Sequence, residues 1–311
     1  MKKEVYSSPN VWTAILVIIL VLTGCKKLVE ATPPQDMIIG DGAFASDSTA
    51  IAVMNSVYSF LSQQNSFAQG NLSIGQLTGF AADELQVYKV EPQYFFYTNS
   101  LTAVNFKAYY FWSEMYGRIY TCNKIIETVP GSKSLSENVK KQLTGEAKFM
   151  RGFVYFQLVN LFGDVPLAIV TDYRVNNTLF RTPVAQVYNQ IIRDLKEAQS
   201  ALGSAYVNGF GSDVPERVRP NMWAATAMLA RVYLYLQDWT NAEAEASKII
   251  NSSNFKLAED PQRVFLSMSP EAILQFQPGV NQNTMDANTY VLLPNSLNAS
   301  RTPPYQFTRR L

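Results

Sequence analysis

The chain runs to 311 residues, with 26 Lys and Arg against 25 Asp and Glu and no histidine. Without histidine, Ser-His-Asp and Cys-His nucleophiles and every histidine-ligated metal site are excluded; a carboxylate pair, a lysine or a tyrosine remains for catalysis. The charge balance offers no basic surface for phosphates, so nucleic acid is not an expected partner, and the length allows one large domain or two small ones.

Lys2 and Lys3 precede an uncharged apolar run, residues 11–22 (VWTAILVIILVL). That run is shorter than the roughly 20 residues a membrane-crossing helix needs, and it has the length of a secretory h-region. Leu22-Thr23-Gly24-Cys25 closes it and looks like a bacterial lipobox, where a thiol is acylated before cleavage. An ordinary signal or anchor in which Cys25 is incidental is the alternative. The expected organisation is a leader over 1–24 and a lipidated tether over 25–44, carrying Pro33-Pro34, Gly40 and Gly42. Removing the leader takes away two lysines and one glutamate and leaves a formal net charge of zero. Cys122 is the only other cysteine, so with Cys25 acylated no intramolecular disulfide is available; in its apolar run it reads as a buried, inert thiol.

From residue 45 onward helical periodicity recurs. Ile51, Met54, Tyr58 and Leu61 share one face. Tyr109, Trp112, Tyr116, Ile119, Asn123 and Ile126 form a second stripe. Val139, Leu143, Ala147, Met150, Val154, Leu158 and Leu161 form a third, and Phe149, Phe153 and Phe156 give that helix a second apolar face, as packing on two sides requires. Ser134 with Glu137 predicts a capping box at its start, and Phe162-Gly163-Asp164-Val165-Pro166 predicts its end, with glycine at the C-cap and proline barring continuation. After a long loop, 161–182, Thr182 as N-cap with Pro183 at the first helical position opens a fourth helix, whose stripe is Val187, Ile191, Leu195, Ala198 and Leu202. Strand signals are short pieces such as 272–277.

Residues 219–250 (RPNMWAATAMLARVYLYLQDWTNAEAEASKII) match a tetratricopeptide (TPR) pair: Leu229, Ala230, Tyr233, Ala242 and Ala246 hold its spacing, with Asp238-Trp239 at the turn. One such pair cannot bury its own faces, so packed neighbours are required. The expected fold class is therefore mostly α: an irregular TPR-like helical repeat scaffold with long loops and little β.

Three stretches in this order resemble the SusD/RagB family of nutrient-binding lipoproteins. They are 146–167 (EAKFMRGFVYFQLVNLFGDVPL), 181–202 (RTPVAQVYNQIIRDLKEAQSAL), and the repeat with Ala230-Arg231-Val232-Tyr233 and Asp238-Trp239. Cys25-Lys26-Lys27-Leu28-Val29-Glu30, with Pro33 following, is similar as well, so the likeness covers most of 25–254. The resemblance implies a protein on the outer face of the outer membrane that is not an enzyme. It would pair with a SusC-like, TonB-dependent transporter and hold glycans, or in some branches peptides, over its mouth. It also implies that 45–311 is one SusD-like TPR-type domain lacking a C-terminal part, since family members continue well beyond the length seen here.

Ligand contacts are expected in 91–99 (EPQYFFYTN), where aromatic faces with polar tips suit the apolar C–H faces and hydroxyls of sugar rings. Taken as an extended segment, side-chain parity pairs Tyr97 with Asn99 as the ligand-facing set, with Tyr94 as a further candidate. Tyr290, ending the polar stretch 281–290, is a fourth. The competing reading has these aromatics covering the first helices. Asp83-Glu84 is a poor glycosidase pair, because adjacent residues do not face each other across a sugar. Asp41 and Asp47 lack EF-hand spacing, and no metal or cofactor is expected. Arg151 and Arg231 read as structural, paired with carboxylates or helix ends. A periplasm-facing TPR scaffold lipoprotein and a surface glycosidase remain as alternatives to nutrient capture.

Overall fold

The structure is a computed structural model that describes residues 40–63, 66–70, 72–87, 93–102, 108–278, 283–290 and 305–307. The leader 1–24, Cys25 and the tether as far as residue 39 lie outside the described residues, as do 281–282 of the later polar stretch and the side chain of Tyr109. Ala43–Leu311 clusters as one compact unit.

The protein is mostly helical. Helix α1 (Asp47–Leu61) buries Ile51, Met54, Val57 and Leu61, and α2 (Ile74–Ala81) buries Leu77 and Phe80. A short strand β1 (Leu85–Val87) and a single helical turn α3 (Tyr94–Tyr97) follow. The long helices α4 (Ala108–Thr128) and α5 (Glu137–Phe162) pack on one another. Strands β2 (Val165–Pro166) and β3 (Arg181–Thr182) pair antiparallel around α6 (Tyr173–Asn176). Helix α7 (Val184–Ala201) lies along α5, α8 (Met222–Tyr235) packs on α7, and α9 (Trp239–Ile250) packs on α8. The last described elements are α10 (Met285–Tyr290) and β4 (Tyr305–Phe307), which pairs antiparallel with β1. Among the described residues no helix is long and apolar enough to cross a membrane.

The core follows the helical stripes. Val139, Leu143, Ala147, Met150, Val154 and Leu158 of α5 are all buried, and so are Val187, Ile191, Leu195 and Ala198 of α7. These two helices cross closely because Gly145 and Gly152 face α7: a Cβ at Gly145 would lie 2.8 Å from Leu202 Cδ2, and one at Gly152 would lie 3.2 Å from Leu195 Cγ. Cys122 is fully buried, and burial pushes its thiol up to about 12.

Helix ends are where structure and sequence pattern part. Ser136, not Ser134, is the N-cap of α5, and its side chain makes no capping bond. The Ser136 amide instead donates to Asp47 Oδ1 at 2.9 Å, while Glu137 pairs with Lys140 at 2.8 Å. Thr182 belongs to β3 and Pro183 takes the N-cap position of α7. Proline has no side-chain acceptor, and the Val184 amide is met at 2.9 Å by Asp164 Oδ1 from the end of α5. A tertiary acceptor replaces the local cap in both cases. Gly163 does end α5, at φ 67°. Residues 272–277 form no strand; the Gln275 amide donates to the Arg217 carbonyl at 2.8 Å.

The loop after α5 is tied down carbonyl by carbonyl. Tyr116 Oη donates to Pro166 O at 2.7 Å, Tyr155 Oη to Ala168 O at 2.9 Å, and Asn123 Nδ2 to Ala168 O and Val170 O at 2.9 and 3.3 Å. Buried backbone carbonyls need donors, and α4 and α5 supply side-chain ones here.

Candidate ligand-binding site

Two buried guanidinium pairs must be separated from the ligand question first. Arg151 forks onto Asp194, Nε to Oδ2 at 2.8 Å and Nη2 to Oδ1 at 2.6 Å, while Nη1 donates to Asn123 Oδ1 at 2.9 Å. Burial opposes its charge, but the Asp194 carboxylate outweighs burial and holds the guanidinium above its ordinary value. Arg219 donates to Glu146 Oε2 at 2.6 Å, and Glu146 also receives Tyr58 Oη at 2.9 Å and Gln142 Nε2 at 2.7 Å. Burial, reinforced by the neighbouring Glu146, raises Tyr58 well above a free phenol, so it stays a donor. Both clamps join elements distant in sequence, and their polar groups face one another. Arg231 differs from its structural expectation: it is exposed on α8 and forms no ion pair among the described residues.

The aromatic segment is a helical turn, not the extended strand that its side-chain parity presupposed. Thr98 and Asn99 amides donate back to the Tyr94 and Phe96 carbonyls at 2.9 and 3.1 Å. In a helix, residues three apart share a face, so Tyr94 and Tyr97 lie on one side and parity no longer divides them. Tyr94 is 37% exposed, with its ring edge-on to Phe95 at 6.4 Å. Phe96 and Tyr97 are half-buried and pack against the core. The turn stops at Asn99, whose φ is 51°, a left-handed conformation asparagine tolerates better than most residues. Asn99 Nδ2 reaches the Ala81 carbonyl at the end of α2, 3.3 Å away.

The residues after the turn are exposed, polar Thr98, Asn99 and Ser100 and then apolar Leu101. Thr98 Oγ1 donates to Tyr94 O at 2.8 Å and shares a hydrogen bond of 2.7 Å with Ser100 Oγ. Asp83 and Glu84 lie exposed at the end of α2, adjacent in sequence. The result is a shelf with one open aromatic ring, two hydroxyls and a carboxamide oxygen, set on a turn that α2 and β1 hold in place. Tyr290 is half-buried against the core at the end of α10. That helix is fastened by the Gly70 amide to Asp286 Oδ1 at 2.8 Å and by its own Met285 amide to Gln69 Oε1 at 3.2 Å.

Several exposed aromatics lie outside the helical stripes, Phe180, Phe265 and Phe210 among them. Phe210, 54% exposed, sits at the tip of a turn in which Asn208 Oδ1 accepts the Phe210 and Ser212 amides at 2.9 and 3.1 Å. Asn208-Gly209-Phe210-Gly211 carries the residues that mark a tight turn, and that was the available signal.

Comparison with known proteins agrees with this fold. A family model for SusD-like proteins, described as starch-binding and associating with the outer membrane, matches residues 46–234. The SusD-like protein P25 of Formosa agariphila is 26% identical over 253 residues, which is 78% of this chain and 46% of that protein. A SusD superfamily protein from Bacteroides vulgatus superposes with a TM-score of 0.63 at 22% identity, covering 74% of this chain and 49% of the other. A laminarin-binding SusD-like protein gives 0.59 at 21% identity, over 70% and 47%. The two structures share the fold, and the chain spans about half the length of the curated relatives it matches. With the family model covering more than half of its residues, the chain belongs to the SusD-like family.

Proposed function

We propose that this protein captures glycans at the cell surface and passes them to a SusC-like, TonB-dependent outer-membrane transporter, without itself cleaving them. The observation that carries the reading is the shelf around Tyr94. An aromatic ring left open on a fixed turn, with Thr98, Ser100 and the Asn99 carboxamide beside it, matches the apolar face and hydroxyl rim of a pyranose. Tyr94 and Asn99 are the first contacts in this proposal, with Tyr97 on the same face of the turn and Tyr290 as a further candidate. The family description, starch-binding and associating with the outer membrane, supports the same ligand class and location, and so does the laminarin-binding relative. Acylation of Cys25 would hold the protein at the membrane, since each buried methylene contributes about 0.8 kcal/mol.

The test is made in intact cells. Protease added outside is expected to remove the protein, and gentle detergent extraction is expected to recover it with a large β-barrel partner. Cys25→Ser is expected to abolish fatty-acid labelling and release the protein from the membrane. Protection from protease, with recovery alone, would favour a periplasm-facing scaffold. Release of reducing sugar by the purified protein would make it a glycosidase.

A further inference from the structure

A second cleft, of about 840 Å³, opens between α1 and the turn carrying Phe210. One wall is a single face of α1: Asn55, Ser59 and Ser62 follow at helical spacing, and Gln63 adds a carboxamide at the helix end. The other wall is the turn 208–210, with Gln277 and Met285 closing one side. The two walls approach closely at Gly209. Gly209 lies so close to α1 that a Cβ there would come within 2.5 Å of Ile51 Cγ2 and 3.1 Å of Arg219 Nη2. Phe210 therefore stands exposed on a tip braced from both sides, by the Asn208 carboxamide within the turn and by Ile51 beneath it.

The chemistry of the lining narrows the ligand. Among the described residues that line it the one charged group is Arg219, almost fully buried and neutralised by Glu146, with a further bond to Asn55 Oδ1. The Asn55 amide nitrogen and the side chains of Ser59, Gln63 and Gln277 have no hydrogen-bond partner among the described residues. Carboxamides and hydroxyls both donate and accept, so they match a polyol, whereas an anionic or zwitterionic ligand would find no opposite charge free to meet it among the described lining residues. We propose that this cleft binds a neutral oligosaccharide, with Phe210 stacking on one ring and Asn55, Ser59, Gln63 and Gln277 bonding its hydroxyls. The inference rests on the glycan-capture reading and adds a second, separate contact zone with a stated ligand class.

Titration calorimetry on the full chain tests it, with maltoheptaose and laminarihexaose as neutral probes and oligogalacturonate as the charged one. Phe210→Ala, an exposed change that leaves the core intact, is expected to weaken neutral binding about three- to tenfold and to leave the melting temperature unchanged. Binding is expected to be insensitive to salt, as an uncharged contact should be, and the sugar should slow amide exchange over 206–214. Hydrogen exchange in the wild type keeps the proposal testable even if the variant misfolds. If Tyr94→Ala weakens binding while Phe210→Ala and exchange over 206–214 do not respond, the cleft is overturned and glycan capture stands. Salt-sensitive binding of oligogalacturonate in place of the neutral sugars would overturn the ligand class. Failure of the wild type to bind any of the three would sink the capture reading, and this cleft with it.

Discussion

The seam between α5 and α7 and the end built from α2 and α3 are made from similar residue types, aromatics and amides, yet they spend them differently. Along the seam the principal polar groups are committed. Asp194 receives both Arg151 and Gln190 Nε2, the latter at 3.0 Å, and Tyr188 Oη donates to Asn160 Oδ1 at 2.9 Å. Phe156 is enclosed edge-on by Tyr188 and Tyr235, at 6.3 and 4.9 Å. The α2–α3 end is less complete. Tyr94, Thr98, Asn99 and Ser100 face solvent, and the fully buried Gln76 of α2 has a hydrogen-bond partner for neither amide atom among the described residues. A buried network whose members satisfy one another fixes one arrangement and leaves nothing for a ligand. Solvent-facing side chains on a short, anchored turn are placed where binding residues concentrate.

The contrast breaks first, and hardest, at the seam. Asp194→Ala strands the Arg151 charge in the interior and is expected to cost about 3–5 kcal/mol, read as a large fall in the denaturation midpoint. A loss under about 1 kcal/mol would mean that water reaches Arg151 and that the seam is not closed. At the other end the sign reverses. Gln76→Met keeps the side-chain length and removes two unpaired polar atoms, each costing about 1–3 kcal/mol when buried without a partner. The variant is expected to melt higher, and a lower melt would show that the carboxamide is satisfied in solution.

The difference between these regions also decides what could be read from residues alone. The stripes of α5 and α7 were legible because burial at a 3.6-residue period leaves a repeating mark: Val139, Leu143, Ala147, Met150, Val154 and Leu158, like Val187, Ile191, Leu195 and Ala198, are buried. The Phe162-Gly163 stop was legible because the positive φ of Gly163 requires a residue without a Cβ. Ser134 and Thr182 misled because their helices take acceptors from Asp47 and Asp164, which no local pattern announces. Tyr94–Tyr97 misled for another reason: one turn of helix is shorter than the period that would reveal it. Gly145 and Gly152 passed unremarked, since the need for a small side chain comes from Leu202 and Leu195 on another helix. Long elements report their packing in sequence; caps, single turns and crossings depend on partners far along the chain.

Smaller effects sharpen the comparison at the shelf. Tyr94→Ala removes an open ring, so neutral-sugar binding is expected to weaken by about 0.5–1.5 kcal/mol while the melt stays put. Tyr97→Ala, half-buried against the core, is expected to lower the melt as well. A fall in stability with unchanged affinity in both variants would assign the turn to the core.

The smallest shift separates ligand contact from backbone duty at a single residue. Asn99 holds φ 51° and donates to the Ala81 carbonyl at a long 3.3 Å. Replacing it by glycine relieves the left-handed backbone but gives up that bond and frees the unfolded chain. The opposing changes are each of order 1 kcal/mol or less, so Asn99→Gly is expected to leave stability within about 0.5 kcal/mol of the parent. Asn99→Ala keeps the strain without the side chain and is expected to cost about 1–2 kcal/mol. Stability therefore separates the two variants, whereas the carboxamide oxygen is absent from both. If that oxygen meets a sugar hydroxyl, glycan affinity falls equally in the two variants, the stable one included. If affinity follows stability instead, falling in Asn99→Ala alone, Asn99 acts only as the cap that ends α3, and Tyr94 with the neighbouring hydroxyls must carry the contact.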